Sequence, residues 1–209
     1  MSPLYGILAG CFAMDRTTAF NFAISRPLAV SAIVGLVGGN LEWCLLGGVF
    51  FELIGLMDLP VGTRIPSDDT FGAFAYSIIA VQAPTFSLTH ALCAIIAAFI
   101  IMFPVTYSTY LLRWLNAIFQ KKYPEREGFL ILIGQAFSFM RGALFYGLGA
   151  LICCFFYILC HTFFPPLPNF VLVAFLASIC GYFMAFFNVA AWEKFTLFII
   201  GGVVSWVLL

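Results

Sequence analysis

The chain has 209 residues, of which 64% are hydrophobic and only 9% are charged, and its positive and negative formal charges cancel. Soluble domains typically carry about 25% charged residues, so a soluble core of this size could not hide so much apolar surface, and the bilayer must be the solvent. The apolar segments are far longer than the ~10-residue strands of a membrane barrel, and no basic patch with interleaved aromatic residues indicates nucleic-acid binding. We therefore expect an all-α polytopic membrane protein in which residues 1–209 form a single membrane domain.

The first third of the chain carries short, glycine-rich apolar segments. Residues 1–14 lack the basic start of a cleavable signal peptide and are expected to begin the first membrane segment. The apolar segments at 28–41 and 43–57 are each shorter than the ~20 residues of a full crossing. Such interruptions are typical of broken or re-entrant helices in transporters, so we expect residues 1–84 to form the substrate-site region and residues 85–209 to supply the spanning helices.

The middle of the chain predicts a short helix followed by one full span. Residues 70–112 carry no formal charge. Within them we predict a short helix at 70–81, a break near residues 82–84, and a span at about 86–112. The following loop, 113–127, is the most basic connection and is therefore expected in the cytoplasm. Its basic residues are Arg113, Lys121, Lys122 and Arg126.

The last third predicts one interfacial helix and further spans. We predict an interfacial or re-entrant helix at 129–140, a join at Arg141, and a span at 142–164. The proline-rich break at 165–168 has no Lys or Arg and is expected outside. Residues 195–209 are marginal for a full crossing. The chain as a whole predicts about five to seven transmembrane or re-entrant helices.

Charge is concentrated where the apolar segments are shortest. Of the chain's nine basic and nine acidic residues, half lie between positions 15 and 69. Charge within a membrane segment is costly and usually marks a solute or ion pathway. We therefore look for the function in this region. Its charged residues are Asp15, Arg16, Arg26, Glu42, Glu52, Asp58, Arg64, Asp68 and Asp69.

Several kinds of chemistry have no pattern in the chain. The seven cysteines form no CxxC pair, and His90 and His161 have no Cys, Asp or Glu at ligand spacing, so we expect no metal and no cofactor. There is no nucleophile elbow, no phosphate-cradling glycine loop and no Ser/His/Asp set, so we expect no catalytic residue. An intramembrane enzyme would have only the adjacent Asp68 and Asp69 to work with.

Glu52 is the strongest candidate for contact with a solute. It lies in GGVFFELIGL, where an ionised carboxylate needs a partner or a polar ligand. Two carboxylate oxygens match the paired hydroxyls of a sugar. A structural ion pair with Arg26 or Arg64 would satisfy Glu52 equally well, and both roles can hold together.

The other polar residues each have a structural and a functional interpretation. Asp68 and Asp69 precede an apolar run, as helix N-caps do, and a helix N-terminus within the membrane also directs N–H groups at a ligand. The amides of Asn21 and Asn40 can bond a sugar hydroxyl or a neighbouring helix. Arg26 precedes a proline suited to the first turn of a helix.

Motifs between Asp15 and Phe74 resemble a known family. They are DRTTAFNFAISRPL, VGLVGGN, GGVFFELIGL and DLPVGTRIPSDDT. In order and spacing they resemble the N-terminal half of enzyme IIC, the membrane subunit of mannose/fructose/sorbose-type bacterial sugar phosphotransferase systems. The rest of the chain matches mainly in hydropathy.

The resemblance implies a sugar-translocating permease subunit in the bacterial inner membrane. Family members work with a membrane subunit, IID, and with cytoplasmic IIA and IIB proteins, and sugar is phosphorylated as it enters. The phosphohistidines belong to IIA and IIB, so the chain would be part of a phosphotransferase complex without a phosphoryl-carrying residue of its own. The resemblance implies Glu52, Asp68 and Asn21 at the hexose site, and we add Asn40 and Arg64. We also expect an oligomer.

The chain departs from the family pattern at several positions. It has Phe20-Asn21 where members usually have Gly-Gln, Asn40 where they often have Asp, and Ser67 where a second Pro is usual. It also ends earlier than a typical member. These differences motivate an alternative: a transport-deficient regulatory or scaffold membrane subunit derived from the same family.

Overall fold

The computed structural model describes most of the chain before residue 164. The described residues are 3–17, 22–57, 65–83, 86–123 and 127–163. The chain divides into two units, Met1–Phe163 and Phe164–Leu209, and the described residues all belong to the first. The expected break at 165–168 and the expected end at 195–209 therefore lie outside the described residues.

Every regular element in the described part of the chain is a helix, which confirms the all-helical class. Between α6 and α7 the helix passes through a π-helical segment, Gly142–Tyr146, without interruption. The elements are α1 (Pro3–Thr17), α2 (Pro27–Gly38), α3 (Leu41–Met57), α4 (Asp69–Gln82), α5 (Leu88–Lys122), α6 (Glu127–Arg141) and α7 (Gly147–Phe163).

Local signals set the limits of the shorter helices as predicted. α2 begins with Pro27 in its first turn, where the missing N–H costs nothing. Its end is capped by Gly39 in the left-handed conformation (φ 76°), which an L side chain rarely adopts. α4 covers the predicted short helix at 70–81 and ends at Gln82, where the break was expected.

α5 is longer than predicted. It has 35 residues, and it continues beyond the predicted end at 112 as far as Lys122. The segment expected to be a basic loop is therefore helical over most of its length, because Arg, Lys, Gln and Leu are good helix formers and nothing before Pro124 interrupts them. The residue before a proline avoids the helical region, and Tyr123 is the C-cap.

The predicted join at Arg141 coincides with the last residue before the π-helical segment. The interfacial helix and the span expected on either side form one helical run. That run, Gly128–Leu159, and α5 are the two helices in the described part that are long and apolar enough to cross a membrane. The structure thus supports a helical membrane protein.

α4 is the central helix of the described unit. It contacts α1, α2, α3, α5 and α7, and it is buried from Asp69 to Ala80. Its 14 residues span about 21 Å, less than the thickness of a hydrocarbon core. Its N-terminus lies beside the middle of α5, because the N–H of Asp68 donates to Thr106 Oγ1 at 2.9 Å. The first turn of α4 therefore lies inside the protein, level with the middle of α5, the longest of the described helices.

Close helix contacts depend on residues without side chains. A Cβ added at Gly142 would lie 2.4 Å from the Ala13 Cβ and 2.6 Å from the Ala9 carbonyl oxygen. Backbone atoms cannot move aside as a flexible side chain can. Only a glycine at position 142 therefore lets α1 and the π-helical segment touch. Small residues at such crossings are the usual means of close packing in membranes.

We therefore predict that Gly142→Ala destabilises the protein by about 1–3 kcal/mol, because α1 must move away from the π-helical segment. Gly147 is the matched control, since a Cβ there would meet nothing within 4 Å. Gly147→Ala should be neutral or stabilising by up to about 1 kcal/mol. Thermal unfolding in detergent measures both variants, and equal melting temperatures would show that the Gly142 contact is not tight.

Candidate functional site

A largely buried group of four charged side chains and one tyrosine lies at the N-terminus of α4. We call Asp68, Asp69, Arg16, Arg141 and Tyr146 the Asp68 cluster. Asp68 is 1% exposed. Its Oδ1 accepts from the Phe71 N–H at 3.2 Å, which makes Asp68 the N-cap of α4 as predicted. The same oxygen accepts from Tyr146 Oη at 2.6 Å, so its hydrogen-bonding capacity is used by the fold.

Two arginines from different helices compensate the charge of Asp68. Arg141 Nη2 lies 3.5 Å from Asp68 Oδ2, and Arg16 Nε lies 3.6 Å from Asp68 Oδ1. Arg141 also donates to Ser108 Oγ at 3.1 Å and to Thr109 Oγ1. A buried carboxylate is tolerated only when it is paired and hydrogen-bonded, and this one is.

The π-helical segment places two of these partners. Arg141 is the last residue before the segment and Tyr146 is its last residue, so both ends of one wide turn face Asp68. The Arg141 guanidinium lies 5.6 Å from the Tyr146 ring centroid. π-Helical turns inside α-helices are rare and are often found at functional sites.

Arg16 connects Asp68 with Asp69. It forms an ion pair with Asp69 and donates to Thr70 Oγ1 at 2.5 Å and to the Ser67 carbonyl oxygen at 2.7 Å. The side chain is about one-fifth exposed, whereas Arg141 is buried. Arg16 is therefore paired with the two buried acids while part of its side chain remains exposed.

Asp15 holds residues 22–26, the described part of the loop between α1 and α2. Its carboxylate accepts from the Phe22 N–H at 2.7 Å and from the Ser25 N–H at 2.9 Å. Thr70 Oγ1 donates to the Ser25 carbonyl oxygen at 2.7 Å, which ties the loop to α4. These bonds fix the position of Arg26, which follows Ser25 directly.

The side chain of Glu52, on α3, contacts the N-terminus of α2. Its Oε1 accepts from Arg26 Nη1 at 2.9 Å, and its Oε2 accepts from the Leu28 N–H at 3.2 Å. A free N–H at the start of a helix favours a negative charge, so α2 and Arg26 hold this carboxylate together. The predicted structural pair with Arg26 is therefore present.

A cavity of about 310 Å³ separates Glu52 from the Asp68 cluster. Its charged walls come from α1, the α1–α2 loop, α3 and α4. The lining residues are Arg16, Ala23, Ser25, Arg26, Pro27, Glu52, Gly55, Leu56 and Asp69. A carboxylate and a guanidinium therefore stand on each side of one polar hollow.

Gly55, on α3, allows Asp69 of α4 to approach α3 closely at the wall of this cavity. A Cβ at this position would lie 1.9 Å from Asp69 Oδ2, which Arg16 holds in place. Of the residues expected at the site, Glu52 lines the cavity directly. Asp68 lies behind Arg16 and Asp69 and does not line it.

Asn40, another expected site residue, lies away from the cavity. Asn40 donates to the Ala80 carbonyl oxygen at 2.7 Å, at the opposite end of α3 from Glu52. About 18 Å of helix rise separates positions 40 and 52, so the structure does not bring these two together. Asn21 and Arg64 lie outside the described residues, as does Phe20.

Sequence reasoning did not assign four polar cavity residues to the site: Arg16, Ser25, Arg26 and Asp69. Arg16 belongs to the Asp-Arg-Thr motif that marked the resemblance, so a signal existed for it. Asp69 was treated with Asp68 as an alternative cap, and only the structure separates their roles. Ser25 has no signal of its own, because its contribution depends on the fold of the loop.

The cavity suits an uncharged, hydroxyl-rich molecule. Carboxylates accept hydrogen bonds from hydroxyls, and guanidinium groups donate to hydroxyl oxygens. The described lining contains no Cys or His, which are common ligands of transition metals. The arrangement can bind and orient a polar solute within the membrane domain.

One comparison with known proteins identifies a family. A family model described as "PTS system sorbose-specific IIC component" matches residues 2–191. This match covers most of the chain and confirms the resemblance first drawn from motifs between positions 15 and 74. Among curated proteins, none matches the chain.

The geometry predicts that neutralising Asp68 lowers the stability of the protein more than neutralising Glu52. Asp68→Asn leaves the buried Arg141 without its counter-charge and should cost about 3–5 kcal/mol of stability. Glu52→Gln removes an exposed ion pair, since Arg26 is 61% exposed, and should cost less than about 1 kcal/mol. Unfolding of both variants in the same detergent checks this order, and a smaller loss for Asp68→Asn would contradict a structural role for the cluster.

Proposed function

The chain belongs to the sorbose-specific IIC components of the sugar phosphotransferase system, and on this basis we propose that it is a permease subunit passing a hexose inward for phosphorylation by its partners. The observation that carries the proposal is the cavity between Glu52 and Asp69. Its volume, about 310 Å³, lies at the lower end of the range for small-molecule sites. A single polar solute is the ligand that such a site fits.

Glu52 is the residue best placed to contact the sugar. Its two oxygens now accept from Arg26 and from the Leu28 N–H, and each carboxylate oxygen can accept a further hydrogen bond. A pair of adjacent sugar hydroxyls would approach it from the cavity. Arg26 on the same wall donates to the oxygens of the same solute.

The opposite wall contributes Asp69 and Arg16. Here Asp68 acts indirectly, since its ion pair with Arg16 and its cap on α4 set where Asp69 and Arg16 lie. We therefore propose Asp69 and Arg16 as contacts and Asp68 as a positioning residue. Asn21 and Arg64 stay predictions for the sugar site.

The proposal extends to partners and location. As a component of a phosphotransferase system, the chain works with other subunits of that system. We propose IID in the membrane and IIB and IIA in the cytoplasm, with phosphoryl transfer carried by IIA and IIB. We further propose about five to seven transmembrane or re-entrant helices in the bacterial inner membrane, within an oligomeric complex.

We predict that Glu52→Gln weakens hexose binding by about 10- to 100-fold, the effect of losing a hydrogen bond to a charged acceptor. Glu42→Gln is the matched control, because Glu42 is an exposed acid in the first turn of the same helix and does not line the cavity. Binding is measured by calorimetry on the purified complex with IID, together with the yield of that complex.

Two outcomes would contradict parts of this proposal. Unchanged binding of every hexose that the wild-type complex binds would remove Glu52 from the site. Absence of sugar uptake by the wild-type chain, with IIA, IIB and IID all supplied, would instead favour the transport-deficient scaffold subunit.

A further inference from the structure

Polar residues follow one face of α5 from its middle to its basic end. They are Thr106, Thr109, Arg113, Asn116 and Gln120. Spacings of three and four alternate between them, so they lie on one face of the helix. From first to last they cover about 21 Å of helix rise. We call these residues the α5 polar stripe.

Two further cavities lie along this stripe. The second cavity has about 170 Å³ and is lined by Arg16, Thr17, Ile65, Pro66, Thr109, Leu112, Arg113 and Asn116. The third cavity has about 470 Å³ and is lined by Asn116, Phe119, Gln120, Leu130, Ile131, Ile133 and Gly134. α6 forms the wall that faces α5 in the third cavity.

Neighbouring cavities in this group share wall residues. Arg16 lines both the cavity at Glu52 and the second cavity. Asn116 lines both the second cavity and the third. Glu52, Arg16, Asn116 and Gln120 therefore mark successive positions along a single series of hollows.

The series has a direction. It begins at the level of Asp68, which bonds Thr106 in the middle of α5, and it ends near Lys121 and Lys122. Basic residues at the end of a membrane helix indicate the cytoplasmic side. The series of cavities therefore leads inward from the sugar cavity.

The polar residues that line the second and third cavities can form hydrogen bonds with the hydroxyl groups of a polyol that passes along them. They supply hydroxyl, amide and guanidinium groups, and no carboxylate occurs among the described lining residues. Neighbouring positions on the other faces of α5 are large, apolar or aromatic and exposed, such as Tyr110, Trp114 and Ile118. Between positions 109 and 120, the charged, amide and aliphatic hydroxyl side chains of α5 therefore all lie on the face that borders the cavities.

We propose that the α5 polar stripe is the inward path of the sugar, with Arg16 separating the binding cavity from that path. The inference rests on the proposed permease function. Arg16 is held by Asp69 and by the Ser67 carbonyl oxygen, and its release from these acceptors joins the first two cavities. Asn116 then bonds the solute where the second cavity meets the third.

The first experiment tests whether the stripe is wetted, without using sugar. Cys11, the exposed member of the described cysteines, is replaced by Ser, and Asn116→Cys or Ile118→Cys is added to that background. A membrane-impermeant thiol reagent is applied to the cytoplasmic side of inverted vesicles containing the full complex. We expect Asn116→Cys to react at least about tenfold faster than Ile118→Cys, because only a hydrated thiol ionises readily. Equal rates, or faster labelling of Ile118→Cys, would overturn the path.

The second experiment separates transport from binding. Asn116→Leu places an apolar side chain of similar size in the path, so we expect sugar uptake to fall by about tenfold or more while sugar affinity at the Glu52 cavity changes less than about twofold. Asn116→Ser, which stays polar, is the matched control and should retain most of the uptake. Wild-type uptake by Asn116→Leu, or an equal loss of binding and uptake, would overturn the inference.

The two proposals fail in different ways. A wild-type complex that binds no hexose contradicts the permease function, whereas the labelling ratio at Asn116 and Ile118 still decides whether the stripe is an aqueous path. A complex that binds and transports hexose but whose uptake is unaffected by Asn116→Leu contradicts the path alone.

Discussion

The described part of the molecule depends on a single buried carboxylate, that of Asp68. A charge in this position is tolerated because Arg141, Arg16 and Tyr146 converge on it from two other parts of the chain. The same carboxylate caps α4, and the Asp68 N–H bonds α5 at Thr106. One residue, through its side chain and its backbone N–H, therefore fixes how α1, α4, α5 and the π-helical segment meet. Loss of that charge would leave two guanidinium groups near one remaining acid, which is far more costly than loss of a surface pair.

This arrangement explains why the cavity between Glu52 and Asp69 lies where it does. α4 is too short to cross the membrane, and its N-terminus lies inside the protein, next to the middle of α5. The adjacent acids divide two tasks: Asp68 faces the helices behind it, while Asp69 faces the cavity that Glu52 borders. Arg16 bonds both acids and lines both neighbouring cavities, so the interaction that stabilises the helix start also shapes the solute site.

Local features of the structure could be predicted from the sequence, and long-range ones could not. The cap at Asp68, the helix start at Pro27 and the end of α4 follow from short patterns with a direct physical cause. The contact between Arg141 and Asp68 joins positions 73 apart, and no pattern in a single sequence specifies that pairing. The extension of α5 to Lys122 was missed because clustered charge was interpreted as a loop, although those residue types favour helix. Glu52 was found because its apolar neighbours made its charge conspicuous.

The charges around the cavity suit a neutral solute that must also be released. Arg16 pairs with Asp69 on one wall and Arg26 pairs with Glu52 on the other, so the charges around the cavity balance and create no strong attraction for an ion. Each of these groups already has a partner within the protein. In the proposed permease, a sugar hydroxyl that binds there would exchange one hydrogen bond for another, and the net gain for each contact is much smaller than the strength of the bond itself. Such moderate affinity would favour passage along the proposed path, since a site that bound the sugar through unsatisfied buried charges would hold it too tightly to let it proceed toward Asn116.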